Sequence, residues 1–536
     1  MAYNRKGQTR RFRSIWRTLL ILLLGAAVVI PAGTRHAHAS VPKLDTIRVA
    51  LFLQQGKLNA TVPAVTLQAT SGTLSIQPFG YPVSGWPSDQ ASSKVKASLD
   101  QFKVLVWESE AADQSLALAS ELRDKGYPVS VLSRQRSGKT IYQIMAGAYP
   151  DQAAADKTAN ALAGLGEVQA LGAIPTVKGN LRLSAGEFGQ ASEAGLLQTA
   201  LGQAGIDSVV AIIETDPGVY RYEVWIGDEA TEDQLNQLKG RVQAIVPGLP
   251  LESVSTDKPY LLANMETTND QGPIPHIWIG GNGAIVNVSA QEGRIAVSEK
   301  NGRSYRGQME LRAHNGRLAL INELPFEQYL YSVVSNEMGE GWPMEALKAQ
   351  AVAARTYALA SGIKYQIAHV SDTALDQAYN GLEYADAIAA VEATKGEVLA
   401  DANGLITPFY SSNAGGMTSN GEDVWGMALP YLKVVPSPDD GPTASQDTWY
   451  QVVLSDGSVG YVHGDYLEDT GNRNAAGLPI YRSTGDRVNV RKAPYVDNVN
   501  NPAFTQLNVG DQVIVIGKAQ ASNSFGWERG PYSPDE

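Results

Sequence analysis

The chain has 536 residues, with 43 Lys or Arg against 55 Asp or Glu, and no cysteine. The acidic balance argues against nucleic acid, whose phosphates need a basic surface, and against charge-driven adhesion to an anionic wall. Disulfides, thiolate metal sites and thiol catalysis are excluded, and the length suits three or four domains.

At the start, Arg5, Lys6, Arg10, Arg11, Arg13 and Arg17 lead into an apolar run from Leu19 to Ala32. Ala37-His38-Ala39 then offers the small residues that a signal peptidase requires. The run is short for a membrane span, so residues 1–39 read as a signal peptide, with an uncleaved anchor as the alternative. Beyond residue 39 the chain holds 36 basic and 55 acidic residues. Thr46 to Leu53 reads as a buried strand and opens a first strand segment, 40–77. The Pro, Ser and Gly content from Pro78 to Ser93 marks a linker over 78–99.

Residues 100–172 follow a β-α-β-β-α-β order. The strands are FKVLVWES (102–109), PVSVLS (128–133), TIYQIMAG (140–147) and EVQAL (167–171), and the helices run from Ala111 to Lys125 and from Asp151 to Leu165. Residues 180–255 repeat the order, with helices over Ala191–Ala204 and Thr231–Val246. Such a repeat predicts two ferredoxin-like units, each a sheet with helices on one face. Trp107, Tyr142 and Gln143, with Tyr222 and Trp225 in the second copy, either line an open sheet face or fill the sheet–helix core. Fold alone does not choose between these.

Residues 273–324 are rich in alternating strands, with Asn-Gly turns at 282–283, 301–302 and 315–316. Gly280 to Gly283 reads as a turn, since no helix follows it. Then comes LPFEQYLYSVVSNEMGEGWPMEALKAQAVAARTYALASGIK (324–364). Helical spacing predicts a helix over Phe326–Met338, stopped by Gly339 and Gly341. Pro343 opens a second helix whose alanines allow close approach and burial. Glu337 sits in the last turn of the first helix. There the helix dipole and the apolar neighbours Met338 and Trp342 both disfavour a charged carboxyl, as a general acid requires. A solvated helix-end glutamate is the plainer alternative. Beyond residue 39 the histidines are His276, His314, His369 and His463, without metal-ligand spacing. Neither a metal nor another cofactor is expected.

Four blocks in order resemble the stage II sporulation protein D family, which includes amidase enhancers. They are YLYSVVSNEMGEGWPMEALKAQAVAARTYAL, DQAYNG (376–381), ATKGEVL (393–399) and FYSSNAGGMTSNGEDVWGMALPYLKVVPSPDD (409–440). The resemblance implies a catalytic core over 257–440 that also takes in the 40–77 strands, and a lytic transglycosylase acting on peptidoglycan glycan strands. Under it Glu337 is the acid and Arg355 orients the glycan or stabilises developing charge, unless Arg355 is a structural ion pair. Arg355 lies about 18 Å up the second helix from Pro343, at 1.5 Å per residue. Gln350, Tyr379 and Ser412 are candidate sugar contacts, and Gly415 and Gly416 shape a loop near the glycan. Some relatives carry Cys and His around these motifs and bind zinc; this chain has neither there.

The first repeat resembles the SPOR (sporulation-related repeat) domain, which binds glycan strands stripped of stem peptides on its sheet, and the second is a fainter match. Residues 447–467 and 486–517 resemble the halves of a bacterial SH3-like barrel in swapped order, giving a β insertion over 441–520. Residues 521–536 look like a return to the core that then stops. The expected whole is an α+β multidomain protein with a strand-rich core carrying a buried helix pair, two βαββαβ repeats and a small β barrel. Its expected partners are glycan strands, and a wall amidase in the activator reading. No nucleic acid is expected, and membrane attachment only through an uncleaved N-terminal segment. Its expected location is outside the cytoplasm, at the wall or the outer membrane face.

Overall fold

The computed structural model describes residues 43–83, 86, 92–269, 272–411, 414, 416–437, 447–496 and 501–521. The expected signal segment, 1–39, and residues 522–536 lie outside these. The chain divides into two units, residues 1–409 and 410–536, described separately below. Among the described residues no helix is long and apolar enough to cross a membrane.

In the first unit the strand Thr46–Gln55 pairs antiparallel with Arg317–Pro325, from Thr46 opposite Pro325 to Ala50 opposite Ile321. It also lies parallel to the short strand Val370–Ser371. Ala64–Pro78 pairs with Ile285–Val297 and with Lys94–Leu99. Asn301 and Asn315 take left-handed φ of 57° and 51°, each followed by a glycine that is also left-handed, so these two Asn-Gly pairs make tight turns. Ile47, Val49, Leu51, Val65, Leu67, Val286 and Leu320 form the core beneath.

The expected linker over 78–99 is corrected at its end, because Lys94–Leu99 is a core strand. It runs parallel to Gly272–Gly280, with Lys96 opposite His276. Its Val95, Ala97 and Leu99 enter the core. The alternating Lys96 and Ser98 made it look like linker, but those residues turn to a buried polar layer.

The repeats keep the expected order. The first holds Phe102–Ser109, α1 (Ala112–Asp124), Val129–Arg136, Lys139–Tyr149 and α2 (Gln152–Ala163). Asp151 caps α2 by accepting from the Ala154 N–H at 2.8 Å. The expected strand EVQAL is corrected: Gly166–Ala170 is a helical turn and Thr176–Lys178 is the strand, paired to Phe102–Ser109. Glu167 sits in the first turn, where the helix dipole favours a carboxylate, and pairs with Lys125 at 2.9 Å. Val168 meanwhile joins the helix-side core. The second repeat holds Leu181–Phe188, α3 (Ala191–Gln203), Ser208–Asp216, Val219–Glu229, α4 (Glu232–Ile245) and Glu252–Ser253. Thr231 and Gln234 close a capping box on α4.

A strand that the sequence reading omitted, Tyr260–Thr268, joins these parts. It pairs with Gly272–Gly280, with Ser208–Asp216 (Leu262 opposite Ala211) and with Val129–Arg136 (Glu266 opposite Leu132). Around it the inner faces of both repeats close on one another. Leu132 and Met145 of the first meet Val209, Ala211, Ile213 and Trp225 of the second, with Tyr260, Leu262 and Trp278 between them.

The core then carries α5 (Phe326–Met338), α6 (Met344–Ser361) and α7 (Ala385–Ala393). Small residues let them approach closely: Ala351, Ala354 and Ala358 of α6, and Ala387 and Ala390 of α7, are fully buried. In the second unit, five strands lie in the order Val459–His463, Asp447–Val453, Gln512–Ala521, Pro479–Ser483 and Leu467–Arg473. A hairpin, Val488–Val490 with Thr505–Leu507, adds to them. Val452, Val462, Val490 and Val513 form the core there.

Candidate active site at the end of α5

α5 forms as the apolar spacing predicts, with Tyr329, Leu330, Val333 and Val334 buried. Its other buried positions include two serines. Ser332 Oγ accepts from the Gly381 N–H at 2.9 Å and Ser335 Oγ from the Tyr384 N–H at 2.9 Å. Beyond those anchors the Ala378 N–H donates to Glu337 Oε1 at 2.8 Å, and the Tyr329 hydroxyl donates to Gln377 Oε1 at 2.9 Å. The DQAYNG segment is therefore laced along α5, and the Glu337 carboxylate is one of the ties.

Asp376 begins that segment and fixes its start. Its carboxylate accepts from the Tyr365 hydroxyl (2.7 Å), the Ser371 N–H (2.8 Å) and hydroxyl (2.7 Å), and Lys364 (2.5 Å). Burial opposes its charge, but Lys364 and the hydroxyl donors win and hold the carboxyl below its usual range. Gly381 ends the segment at φ +80°, and a Cβ there would lie 2.1 Å from the Ser304 carbonyl oxygen, so glycine is required.

Glu337 is half-buried. Among the described residues the Ala378 N–H is its one hydrogen-bond donor. The apolar shell expected from Trp342 is open, since Trp342 is 51% exposed. Gly339 and Gly341 both take left-handed φ, 79° and 82°. The Gly341 N–H donates to Asp386 at the start of α7, at 3.0 Å. A carboxylate at a helix end, oriented by a backbone donor and reachable from solvent, is able to exchange a proton with a bound molecule.

Arg355 is 1% exposed. It makes a two-pronged pair with Glu327, Nε to Oε1 at 3.0 Å and the second amino group to Oε2 at 2.8 Å. It also donates to the carbonyls of Val391 in α7 (3.2 Å) and Glu397 (3.1 Å). Glu327 lies ten residues before Glu337 on the same helix, about 15 Å along its axis. The expected catalytic role is corrected: Arg355 is a buried staple joining α5, α6 and α7, the ion-pair alternative left open above.

Two expected sugar contacts are also corrected. Tyr379 is 2% exposed, stacks near Tyr305 and Tyr329, and donates its hydroxyl to Asn322 at 2.6 Å. Gln350 is buried in α6. Ser412 and Gly415 lie outside the described residues; Gly416 starts a short strand paired with Pro436–Ser437 in the second unit. In the first repeat, Trp107 and Tyr142 pack on the helix side with Val104 and Val106, so they do not line an open sheet face. Tyr222 likewise lies in the helix-side core of the second repeat. Gln143 and Trp225 do face away from the helices, but onto the closed inner face: Gln143 donates to Glu108 (3.1 Å) and Asp207 (3.0 Å), and Trp225 to Glu223 (2.8 Å).

Sequence reasoning missed Ser332, Ser335, Gln377 and the Ala378 N–H. The signal for the serines was present: two small polar residues three apart on the apolar face of α5, where only a hydrogen-bonded role makes burial tolerable.

These parts define a multidomain α+β protein in which a strand-rich core presents the Glu337 carboxylate at a helix end, within the same unit as two βαββαβ repeats. Residues 314–400 match the model of the stage II sporulation protein (SpoIID) family, and residues 108–171 match that of the SPOR domain. The chain carries one domain of each. It is similar to an amidase enhancer of Bacillus subtilis, 45% identical over 105 residues, which are 19% of this chain and 14% of that one. It is also similar to stage II sporulation protein D of Bacillus amyloliquefaciens, 34% identical over 22% of this chain and 40% of that one. An uncharacterized protein of Brachyspira hyodysenteriae is 39% identical over 25% of this chain and 37% of its own length. The chain thus spans less than half the length of each of these relatives. No solved structure matches.

Proposed function

We propose that this protein is an exported peptidoglycan lytic transglycosylase of cell-wall remodelling or sporulation, with Glu337 as its acid and base. The observation that carries this reading is the half-buried helix-end carboxylate of Glu337, tied by one backbone donor inside the SpoIID-matching segment. Its relatives' names, stage II sporulation protein D and amidase enhancer, support a wall setting. So does the SPOR domain match. In the same reading the two repeats are ferredoxin-like and the second unit's sheet is a SH3-like barrel.

The reaction needs one carboxyl group. Glu337 gives its proton to the oxygen between N-acetylmuramic acid and N-acetylglucosamine as that bond breaks. The carboxylate then takes the proton of the muramic 6-hydroxyl, whose oxygen bonds to the anomeric carbon. A 1,6-anhydro end forms and no water is consumed, so the second carboxylate of a hydrolysing glycosidase has no task. A second reading, a non-catalytic activator of an N-acetylmuramoyl-L-alanine amidase, is favoured by the relative named amidase enhancer.

Mass spectrometry of denuded glycan strands incubated with the protein and with Glu337→Gln separates the two. The enzyme reading expects anhydro-muramic ends from the wild type, with Glu337→Gln slower by about a hundredfold to ten-thousandfold. Intact strands from both proteins, with an added amidase accelerated, overturn it in favour of the activator.

A further inference from the structure

A cavity of about 130 Å³, with no lining residue from Glu337's helix, lies next to the Asn315-Gly316 turn, between the core strands and the first repeat. Leu99, Ala148, Pro63 and Leu318 give it apolar walls, and Arg317 and Gln101 give it polar ones. None of the residues lining it is acidic. The Arg317 backbone is paired with His314, but among the described residues its guanidinium has no ion pair and no hydrogen-bond acceptor, in a chain where acids outnumber bases.

The turn that carries Arg317 is held on both sides. Asn315 Nδ2 donates to the Gln54 carbonyl at 3.0 Å, and Gln101 Nε2 donates to the Gly316 carbonyl at 2.9 Å. The second bond commits the Gln101 amide nitrogen and leaves its Oε1 as an acceptor. The cavity therefore offers three things close together: a fork of cationic donors, one amide acceptor and a small apolar floor. A guanidinium suits a carboxylate, which it grips with two parallel hydrogen bonds. The amide acceptor suits a peptide N–H. The volume is below the roughly 300 Å³ at which ligand clefts begin, so the floor takes one small side chain.

We propose that this cavity is a binding site for the free C-terminus of a peptide whose last residue is small and apolar. The carboxylate pairs with Arg317, the last amide N–H donates to Gln101 Oε1, and a methyl-sized side chain rests on Leu99, Ala148 and Leu318. Neither Glu337 nor the glycan reading is involved.

The test is calorimetric titration of the whole protein with N-acetyl-D-alanyl-D-alanine, its C-terminal amide, and the L,L form of the acid. Saturable binding of an acid, weakened about tenfold or more by amidation and by Arg317→Gln, is the expected result. Arg317 is exposed, so its substitution leaves the fold intact. Preference for the D,D acid identifies a wall stem peptide as the source, and preference for the L,L acid a protein C-terminus. No binding of either acid, equal binding of acid and amide, or an unchanged Arg317→Gln overturns the proposal.

Discussion

Glu337 and Gln143 are both polar side chains on faces that the sequence marked for a ligand, and the fold treats them oppositely. Glu337 ends a helix beside two left-handed glycines and a half-exposed tryptophan, with one backbone N–H as its partner. Gln143 sits mid-strand, 8% exposed, bound to Glu108 and to Asp207 of the other repeat. The difference comes from what covers each element. A helix end must leave its last backbone groups to loops, caps or water, so side chains there stay reachable. A sheet face with Leu132, Met145 and Leu105 on it seeks another apolar face, and the second repeat supplies Val209, Ala211, Ile213 and Trp225. Two copies of one unit thus satisfy each other, and the position suited to chemistry lies elsewhere.

The staple behind α5 gives the largest way to break that comparison. Arg355→Met strands Glu327 and two carbonyls. Breaking a buried pair from one side costs about 3–5 kcal/mol, so urea unfolding should show a loss of that order. Adding Glu327→Gln should recover part of it, because the stranded carboxylate is then gone. A variant with normal stability and lost activity would instead return Arg355 to the reacting groups.

The closed region has its own charged layer. Glu266 pairs with Lys96 at 3.0 Å and lies 3.0 Å from His276, while Ser98 Oγ meets His276 Nε2 at 3.0 Å. Burial alone would raise the Glu266 carboxyl, but Lys96 and His276 hold it down to about 2. Burial pushes His276 below its usual 6.5, against the pull of Glu266. Both folded values are depressed, so both groups bind protons more readily when unfolded, and their stability is present at high pH. Stability should fall first as pH drops below about 6.5, where unfolded histidine protonates. It should fall again between 4.5 and about 2, as Glu266 protonates. The second limb is on the order of 3 kcal/mol at 1.36 kcal/mol per unit. Denaturant midpoints measured across that range check it, and His276→Gln should abolish the upper limb and shorten the lower one, since Glu266 then keeps Lys96 but not His276 against burial.

That layer also shows what the sequence could and could not convey. The repeats were legible because their helices and strands alternate with clean apolar periods, and the Asn-Gly turns fixed the core hairpins. Tyr260–Thr268 and Lys94–Leu99 were not, because Asn264, Glu266, Lys96 and Ser98 occupy inward positions and mimic loop composition. Their burial depends on partners far away in the chain, which no local pattern reveals. The helix-end place of Glu337 was legible from the apolar spacing of α5 and the glycine that stops it. Arg355 and Tyr379 were misplaced for one reason: an arginine or tyrosine in a motif looks alike whether it faces a ligand or, as here, Glu327 or Asn322.

The smallest effect is expected at the rim of the closed faces. Arg136 donates to Glu108 at 3.0 Å and to Asp207 at 2.5 Å, joining first repeat to second. Asp207 also accepts from Gln143. All three charged side chains are about a third exposed, so water and salt screen them. If the faces are held by apolar burial, Arg136→Met should cost no more than about 1 kcal/mol. Unfolding of the wild type should then vary little with salt concentration. Amide exchange at Leu132 and Met145 is the sharper readout, because it reports opening of the covered face itself. Unchanged protection in Arg136→Met leaves Trp225 and its apolar neighbours as the closure. Rapid exchange there, matched by salt in the wild type, would make the rim a lock and the first repeat's inner face a surface that charge can uncover.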